Sequence, residues 1–301
     1  MLSTKQLRYF DALARLGHFG RAADACAVTQ PALSMQISQM ERELGVPLVE
    51  RRPQGVVLTA AGREIARRAA AIMAELRGLS EFAASCRAPL SSPIRLGVIP
   101  TVAPYLLPQL LPRLRERCPE LALQVRETQT HELVSDLLAA SLDLLVVALP
   151  IEHGEIETMP VRSDRFLLAV PAHDPLGAGA RVSPEALRGA RLLLLEEGHC
   201  LRDQALAVCG TRPSAMADML GASSLATLVQ MVASGFGVTL LPEIGAASEA
   251  GRGSVRLIRF TDPEPERILG VAWRRSSPRK REFTMLADLV KDIWSAASPQ
   301  R

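Results

Sequence analysis

Residues 19–45, FGRAADACAVTQPALSMQISQMERELG, predict two short helices joined by a tight turn. Arg21-Ala22-Ala23 opens the first helix, and its small alanines let another helix approach closely. The second helix follows Thr29, and Pro31 fits its first turn because a nitrogen there needs no acceptor within the helix. Gly45 is expected to end the second helix. The inward-facing stripe of this helix is Leu33, Ile37, Met40 and Leu44.

The segments on either side extend this unit. Before it, a helix ending near Gly17 is predicted by four apolar residues at helical spacing, Leu7, Phe10, Leu13 and Ala14. After it, residues 51–58 (RRPQGVVL) predict a β-hairpin with a Pro/Gly turn, which would form a wing. The second helix of the pair has a polar outer face formed by Pro31, Met35, Ser38, Gln39 and Arg42. The pattern suits a winged helix-turn-helix that reads the DNA major groove, and it suits an ordinary three-helix core with a solvated polar face equally well.

Charge and composition restrict the class of protein. The net charge is +3; the first 88 residues carry 12 basic against 8 acidic residues, whereas the remaining 213 carry 23 against 24. A basic bias confined to one end indicates a nucleic-acid partner for that end. Only two Trp and two Tyr argue against a protein that stacks single-stranded bases. Charges interrupt residues 1–20, and the most apolar stretch, 137–151, is too short to cross a bilayer, so we expect a cytoplasmic protein without a signal peptide.

From Thr59 to about residue 86 the sequence predicts one long helix. Five apolar residues alternate at spacings of four and three, as in a coiled-coil seam: Ile65, Ala69, Ile72, Leu76 and Leu79. One helix cannot bury such a stripe, so we expect it to pair with a second copy of the chain; packing on the chain's own C-terminal domain is the alternative. Three domains are expected, with residues 1–59 as the winged helix-turn-helix, 60–88 as the linker and dimerisation helix, and 89–301 as the regulatory domain.

The regulatory domain alternates apolar strands with helices, which is typical of an α/β fold. The order strand, helix, strand, helix, strand over residues 94–149 predicts a parallel, doubly wound sheet. A second unit and a return to the first are predicted from strands at 166–170, 192–195, 238–241 and 268–273 and helices at 223–233 and 283–296. A ligand of such a fold binds at the carboxyl ends of the strands, where Thr101 and Thr130 lie. Each threonine could instead be a simple helix N-cap.

The cysteines do not form a pattern typical of secretion or of metal binding. They form an odd, scattered set without a Cys-x-x-Cys pair: Cys26, Cys86, Cys118, Cys200 and Cys209. The sequence therefore predicts no disulfide framework and no zinc site, and we expect no metal or cofactor.

The segment around Cys200 and Cys209 has a more specific pattern. Cys200 follows a glycine turn and begins a short helical run, a position that favours the thiolate, and His199 and Arg202 add donors or positive charge nearby. If residues 201–208 are helical, nine steps of about 1.5 Å separate the two Cα atoms by about 13 Å, whereas a disulfide needs roughly 4.4–6.8 Å. A bond between them would therefore force a rearrangement that could act as a switch. The spacing alone favours two ordinary buried cysteines, since Cys-x8-Cys is not a known motif.

Motifs in the N-terminal part resemble the LysR-type family of bacterial transcription regulators. These are Phe19–Ala23, Val28–Ser34 continuing to Glu41, Leu44-Gly45 and Leu58–Gly62, while Val49 stands where the family usually has Phe. The resemblance implies promoter DNA and RNA polymerase as partners, a homodimer that often becomes a homotetramer, and a two-lobed regulatory domain like the periplasmic binding proteins. It implies groove contacts from Gln30, Pro31, Ser34, Met35 and Ser38, and contacts to the DNA backbone from Arg51 and Arg52.

Further motifs resemble the hydrogen-peroxide-sensing OxyR branch of that family. They are Ile99–Pro108, Gln129-Thr130-His131, Gly198–Ala205 with Cys209, and Gly237–Pro242. The resemblance implies that peroxide oxidises Cys200 to a sulfenic acid, which Cys209 converts to a disulfide with loss of water. It also implies that peroxide is held by Thr101, Thr130 and His199 with help from Arg267, and Arg202 is a further candidate beside them. No motif indicates how residues 210–217 rearrange.

Two other functions remain compatible with the residues. A LysR-type activator that binds a small metabolite, with structural cysteines, would need a larger cleft lined by charged groups. A cysteine peroxidase with an appended DNA-binding domain would show sustained turnover with a thiol reductant. Because the implied oxidation occurs once per signal, we do not expect an enzyme.

Overall fold

The computed structural model describes residues 1–52, 55–85, 89–175, 179, 181–210, 221–251 and 255–296. The chain divides into two compact units, residues 1–87 with 138–141, and residues 88–137 with 142–301. Predictions that concern Pro53, Gln54, Cys86 and residues 211–217 lie outside the described residues. In the described ranges, none of the helices combines the length and the apolar character that crossing a membrane requires.

The N-terminal unit is a winged helix-turn-helix followed by a long helix, as predicted. Its elements are α1 (Thr4–Leu16), α2 (Phe19–Ala25), α3 (Gln30–Leu44), β1 (Val49–Arg52), β2 (Gly55–Leu58) and α4 (Ala60–Ser85). Gly17 and Gly45 end α1 and α3 in the left-handed conformation that glycine adopts without strain. α2 begins at Phe19, earlier than predicted, because the His18 ring accepts hydrogen bonds from two N–H groups of its first turn.

The start of α4 is fixed to the base of the hairpin. The Thr59 hydroxyl donates to the Pro47 carbonyl at 2.7 Å and accepts the N–H of Gly62 at 2.9 Å. Gly62 is required because a Cβ at this position would lie 2.0 Å from the Leu48 carbonyl oxygen. The Glu41 carboxylate on α3 accepts the N–H of Leu48 at 2.8 Å. These contacts give a physical reason for threonine and glycine at the start of this helix.

The apolar stripe of α4 divides into two parts. Ala69 is buried, and Ile65 is half-buried against the core of the winged domain, because α1 packs on this part of α4. Ala69 is therefore unavailable to a partner subunit, and the prediction that it belongs to the seam was wrong, whereas a seam position for Ile65 stays a prediction. Ile72, Leu76 and Leu79 are 46%, 37% and 68% exposed. Pairing with a second copy stays a prediction for this later part of the helix.

The C-terminal unit is a two-lobed α/β domain. In chain order its elements are β3 (Ile94–Val98), α5 (Ala103–Arg117), β4 (Leu123–Glu127), α6 (Thr130–Leu138), β5 (Leu144–Leu149), β6 (Ile156–Pro171), β7 (Arg181–Val182), a 3-10 turn (Pro184–Leu187), β8 (Leu194–Leu195), α7 (Cys200–Cys209), β9 (Gly221–Ala222), α8 (Leu225–Ala233), β10 (Thr239–Pro242), α9 (Glu243–Ala250), β11 (Val255–Phe260), β12 (Glu266–Arg274) and α10 (Lys280–Ala296). The main sheet has the order β4-β3-β5-β12-β6-β11-β7, and β10 also pairs with β6. β8 and β9 form a separate small sheet.

The strand directions confirm one part of the prediction and correct another. In the first lobe β3 is parallel to both β4 and β5, as the alternating order predicted. The parallel arrangement does not extend to the pairs with β6 in the second lobe or to the returning strand, because β10 and β11 are antiparallel to β6, and β12 is antiparallel to β5 and β6. β12 brings the chain back from the second lobe and so runs against the outgoing strands. An apolar run in the sequence carries no information about that direction.

Candidate functional site

The exposed face of α3 carries the residues predicted to contact the DNA groove. Gln30, Pro31 and Met35 are exposed, and Ser34 and Ser38 are half-buried on the helix surface. The opposite face of the helix is buried in the domain core. α3 therefore presents a mostly polar, accessible surface of the kind that a major-groove reader needs.

Arg51 connects the hairpin to this helix face. Its Nη2 donates to Ser34 Oγ at 2.7 Å, and its guanidinium lies 4.8 Å from the centre of the Phe19 ring. The resemblance implied that Arg51 and Ser34 contact different parts of the DNA, and no sequence pattern indicated that the two side chains touch each other. Arg52 is exposed and pairs with the exposed Glu50 at 3.1 Å. Such surface pairs contribute little, so Arg52 can exchange this partner for a DNA phosphate.

Three of the predicted peroxide-binding residues lie at one edge of the main sheet. β3 and β4 are parallel neighbours, so the loops that carry Thr101 and Thr130 leave from the same edge. β12 runs antiparallel to β5, whose last residue, Leu149, lies opposite Ile268. Arg267, one residue earlier, is therefore at the edge where β5 ends. Three separate segments thus leave the sheet at the edge where a parallel sheet usually binds its ligand.

Thr101 and Arg267 are buried and in direct contact. Arg267 Nη1 donates to Thr101 Oγ1 at 2.9 Å, and Nη2 donates to the Thr101 carbonyl at 3.3 Å. The alternative that Thr101 is a helix N-cap was wrong, because Val102 occupies the N-cap position of α5. A hydroxyl that accepts a hydrogen bond keeps its proton for donation. Thr101 is therefore a hydrogen-bond donor held in place by a cation.

Asp164 on β6 neutralises Arg267 and was not identified from the sequence. Arg267 Nε donates to Asp164 Oδ2 at 2.9 Å, and the two side chains are 1% and 0% exposed. The sequence nevertheless contained an indication of its burial. Asp164 lies two and four residues before the buried Phe166 and Leu168, so it is on the same face of the strand as they are. A buried acidic residue normally has a charged or hydrogen-bonding partner.

Thr130 lies at the same edge and has a free polar group. It is the first residue of α6, and its Oγ1 is buried without a hydrogen-bond partner among the described residues. It does not act as an N-cap, and a buried hydroxyl without a partner is suited to a small polar ligand. The adjacent Gln129 donates from Nε2 to the Glu197 carbonyl at 3.1 Å. A Cβ on Gly198, whose φ is +91°, would lie 2.1 Å from Gln129 Oε1, so only glycine allows this close contact between the Thr130 loop and the turn before Cys200.

His199 and Arg202 flank Cys200 in the sequence, and both are buried. Burial lowers the pKa of His199, because loss of hydration outweighs the opposite effect of the Glu196 carboxylate. Burial therefore favours the neutral form of the imidazole. Arg202 Nη1 donates to the Leu195 carbonyl at 3.1 Å, which fastens α7 to β8. A role of either residue in binding peroxide stays a prediction.

Cys200 and Cys209 are free thiols at the two ends of α7, so the predicted helix is confirmed. Nine residues of helix place them on opposite sides and about 13.5 Å apart, beyond the reach of a disulfide. Cys200 is half-buried, whereas Cys209 is only 3% exposed. Burial raises the pKa of Cys209 to about 11, so its thiol is protonated at neutral pH. Cys26 and Cys118 are half-buried free thiols elsewhere in the fold.

Comparisons with known proteins agree with this geometry. Residues 4–63 match the family described as bacterial regulatory helix-turn-helix protein, lysR family, and residues 87–295 match the LysR substrate binding domain. A probable hydrogen peroxide-inducible genes activator of Streptomyces viridosporus is 44% identical over 293 residues, which are 96% of this chain and 94% of that protein.

Solved structures of similar sequence have the same architecture. A cysteine variant of full-length OxyR from Pseudomonas aeruginosa superposes with a TM-score of 0.83 at 36% identity, covering 100% of this chain and 99% of that chain. A cysteine mutant of Corynebacterium glutamicum OxyR with hydrogen peroxide bound has a TM-score of 0.69 at 31% identity, covering 98% and 93%. Since the two family matches together span nearly the whole chain, this protein belongs to the LysR family of bacterial helix-turn-helix regulators, in its OxyR branch.

Proposed function

We propose that this protein is a transcription regulator that senses hydrogen peroxide by oxidation of Cys200 and formation of a disulfide with Cys209. The observation that supports the proposal is the arrangement at one edge of the main sheet. There the Thr101 hydroxyl accepts a hydrogen bond from the buried Arg267, and the Thr130 hydroxyl is buried without a partner among the described residues. This edge touches the turn that leads into the half-buried Cys200. The peroxide-bound structure of the Corynebacterium glutamicum relative supports the same ligand.

In the first step the Cys200 thiolate attacks one oxygen of hydrogen peroxide. A sulfur–oxygen bond forms as the oxygen–oxygen bond breaks, so the sulfur is oxidised and the peroxide is reduced. The leaving oxygen takes up one proton and departs as water. Arg267 and the Thr101 hydroxyl supply positive charge and a donor where negative charge develops on that oxygen. The unpartnered Thr130 hydroxyl supplies a further contact to bound peroxide.

In the second step the sulfenic acid on Cys200 condenses with the Cys209 thiol, and water leaves as the disulfide forms. The two sulfurs cannot meet while α7 is folded. Opening of α7 shortens the distance and also removes Cys209 from its buried site, which returns its pKa from about 11 towards the ordinary range of a thiol. The helix and the disulfide are therefore alternative states of one segment, as a redox switch requires.

The remaining parts of the chain complete this proposal. Residues 1–59 bind promoter DNA, residues 60–88 pair two copies, and residues 89–301 sense peroxide. The assembly is a homodimer or homotetramer that acts on RNA polymerase in the cytoplasm, where its DNA target lies. Because each molecule is oxidised once per signal, we propose no enzymatic turnover.

Metabolite sensing is a second candidate, since one feature matches its requirement. A groove of about 1030 Å³ lies between α5, β6 and α9, and Arg162, Arg165 and Arg259 are among its lining residues. If an organic anion raised the melting temperature of the reduced protein while peroxide left its thiols unchanged, this second function would replace the first.

A count of free thiols tests the proposed function. One equivalent of hydrogen peroxide is expected to lower the count from five to three, because two of the five cysteines form one disulfide. Mass spectrometry of the oxidised protein should find a single link between Cys200 and Cys209. Replacing Cys26, Cys86 and Cys118 together by Ala should leave the response present. A different pairing would contradict the proposal, and continued peroxide consumption with a thiol reductant would favour a peroxidase.

The DNA-binding roles make a separate prediction. Gln30→Ala and Ser38→Ala should relax base preference by about 1–3 kcal/mol at the affected position, because these residues lie on the accessible face of α3. Arg52→Ala should weaken binding to all sequences and reduce the salt dependence by about one counterion. Arg51→Ala is a less selective probe because it also removes the hydrogen bond to Ser34. Fluorescence anisotropy at several salt concentrations measures the DNA affinity of each variant. Altered base preference in Arg52→Ala would contradict the assignment of Arg52 to the DNA backbone.

A further inference from the structure

Asp164 lies where the two lobes of the regulatory domain are joined. β6 and β12 connect the lobes, since β12 pairs with β5 of the first lobe and β6 pairs with β10 and β11 of the second. Asp164 on β6 is directly opposite Arg267 on β12 in their register. The ion pair between them is therefore built into the connection between the lobes.

Both carboxylate oxygens of Asp164 are used, and they bond in different directions. Oδ2 accepts from Arg267 Nε and lies 2.9 Å from Nη2. Oδ1 accepts the N–H of Ile244, in the first turn of α9, at 2.9 Å. The carboxylate cannot rotate without breaking one set of bonds. Asp164 thus has a fixed orientation that is determined by the second lobe.

Arg267 has its orientation determined from two sides. Asp164 holds Nε and one edge of the guanidinium, while the free end reaches Thr101 through Nη1 and Nη2. A planar guanidinium has five donors in fixed directions, so fixing one edge also fixes where the others point. Without its carboxylate the buried cation would be uncompensated, which is costly, and it would turn towards another acceptor or towards water.

We propose that Asp164 is a positioning residue for the oxidation of Cys200: it aims Arg267 at Thr101, so that both stabilise the oxygen that leaves when peroxide is cleaved. This inference rests on the proposed function. Asp164 does not touch peroxide, and it acts through Arg267 on the first step only. The chemistry remains attack of the thiolate on one oxygen, cleavage of the oxygen–oxygen bond and departure of the other oxygen as water.

Two reactions of Cys200 in the full-length reduced protein separate positioning from a merely structural role. Alkylation by iodoacetamide reports whether the thiolate is present and accessible, and it needs no stabilised leaving oxygen. Oxidation by hydrogen peroxide needs an accessible thiolate and also a stabilised leaving oxygen. Asp164→Asn keeps the shape and the acceptor for Ile244 but removes the charge that orients Arg267. It should slow oxidation by about 10²-fold while the alkylation rate stays at that of the wild type.

A second variant and a control keep the test decisive if Asp164→Asn does not fold. Asp164→Glu retains the charge pair but displaces the carboxylate by about 1.5 Å, and misplacement on this scale can cost about 10²-fold in rate. Glu249→Gln is the matched control, because it changes a carboxylate on α9 that accepts from Tyr105 at 2.8 Å and leaves Asp164 untouched. Its ratio of oxidation to alkylation should equal that of the wild type.

The outcomes are distinguishable. The positioning role would be overturned if the ratio of the oxidation rate to the alkylation rate of Cys200 equalled that of the wild type in both Asp164 variants, whether both rates are unchanged or both fall equally. Peroxide sensing would be left intact by that result. Failure of the wild type to oxidise at Cys200 would instead overturn the proposed function itself. A lowered ratio in either Asp164 variant, with a normal ratio in Glu249→Gln, supports the inference.

Discussion

Cys200→Ser is expected to abolish the response to hydrogen peroxide, because a serine hydroxyl is far too weakly acidic to supply the nucleophile. The substitution changes one atom in a half-buried position at the start of α7, so the reduced fold should be retained. Stopped-flow fluorescence should detect no oxidation phase, and the thiol count should stay constant with peroxide. Promoter DNA binding should no longer respond to peroxide, while affinity in reducing buffer should equal that of the wild type.

Cys209→Ser separates the two steps and serves as the paired variant. Its first oxidation should proceed at the rate of the wild type, because Cys209 is buried at the other end of α7 and takes no part in the attack on peroxide. Without a resolving thiol, the sulfenic acid should persist, react with dimedone and slowly become over-oxidised. A normal disulfide signal in either variant would show that another cysteine is the sensor.

Much of the DNA-binding unit could be predicted from the sequence, because local rules determine it. The helix ends at Gly17 and Gly45 follow from glycine's tolerance of the left-handed conformation. The start of α2 was missed because a histidine cap is not among the usual capping residues. The division of the α4 stripe depends on where α1 packs, which is a tertiary property.

In the regulatory domain, too, elements with a clear local pattern could be predicted, whereas pairings between distant strands could not. Apolar runs predicted the first lobe, but not the direction of β12 or the full length of β6, which pairs with strands of both lobes. α9 and β11 were not predicted, because α9 is rich in small residues and β11 alternates with charge.

The candidate site was predicted in part. The strand ends singled out Thr101 and Thr130, the glycine turn before Cys200 indicated the helix between the cysteines, and the resemblance supplied Arg267 and the roles of the two cysteines. The ion pair between Asp164 and Arg267 joins residues 103 positions apart, and no local pattern indicates which strands face each other. Asp164 could have been flagged as an acidic residue at an inward position of a strand, but its partner could not have been named.

The second prediction with a large expected effect concerns pairing of two copies of the chain through α4. Replacing Ile72 and Leu76 together by Glu should convert the assembly to monomers, because both are exposed apolar residues on one helix face. Because only 46% of Ile72 and 37% of Leu76 is left for a partner to cover, burial in the interface is worth about 0.6–1.4 kcal/mol per side chain. The four side chains of a dimer together lose about 2.5–5 kcal/mol, which corresponds to a dimer dissociation constant weaker by about 10²- to 10⁴-fold, and buried carboxylates add a further penalty. Sedimentation velocity should show the smaller species.

The matched control adds the same charge to a different face of the same helix. Ala71→Glu with Ala74→Glu places two carboxylates about 150° away from the mean direction of Ile72 and Leu76, at about 100° per residue. This variant should keep the oligomer of the wild type. Binding to DNA with two half-sites should fall steeply for the Ile72 and Leu76 variant, because each half-site then binds one chain without the effective concentration that a dimer provides. Binding to a single half-site should change little. An unchanged oligomer in the Ile72 and Leu76 variant would mean that this stripe does not join subunits, and that dimerisation uses another surface of the chain.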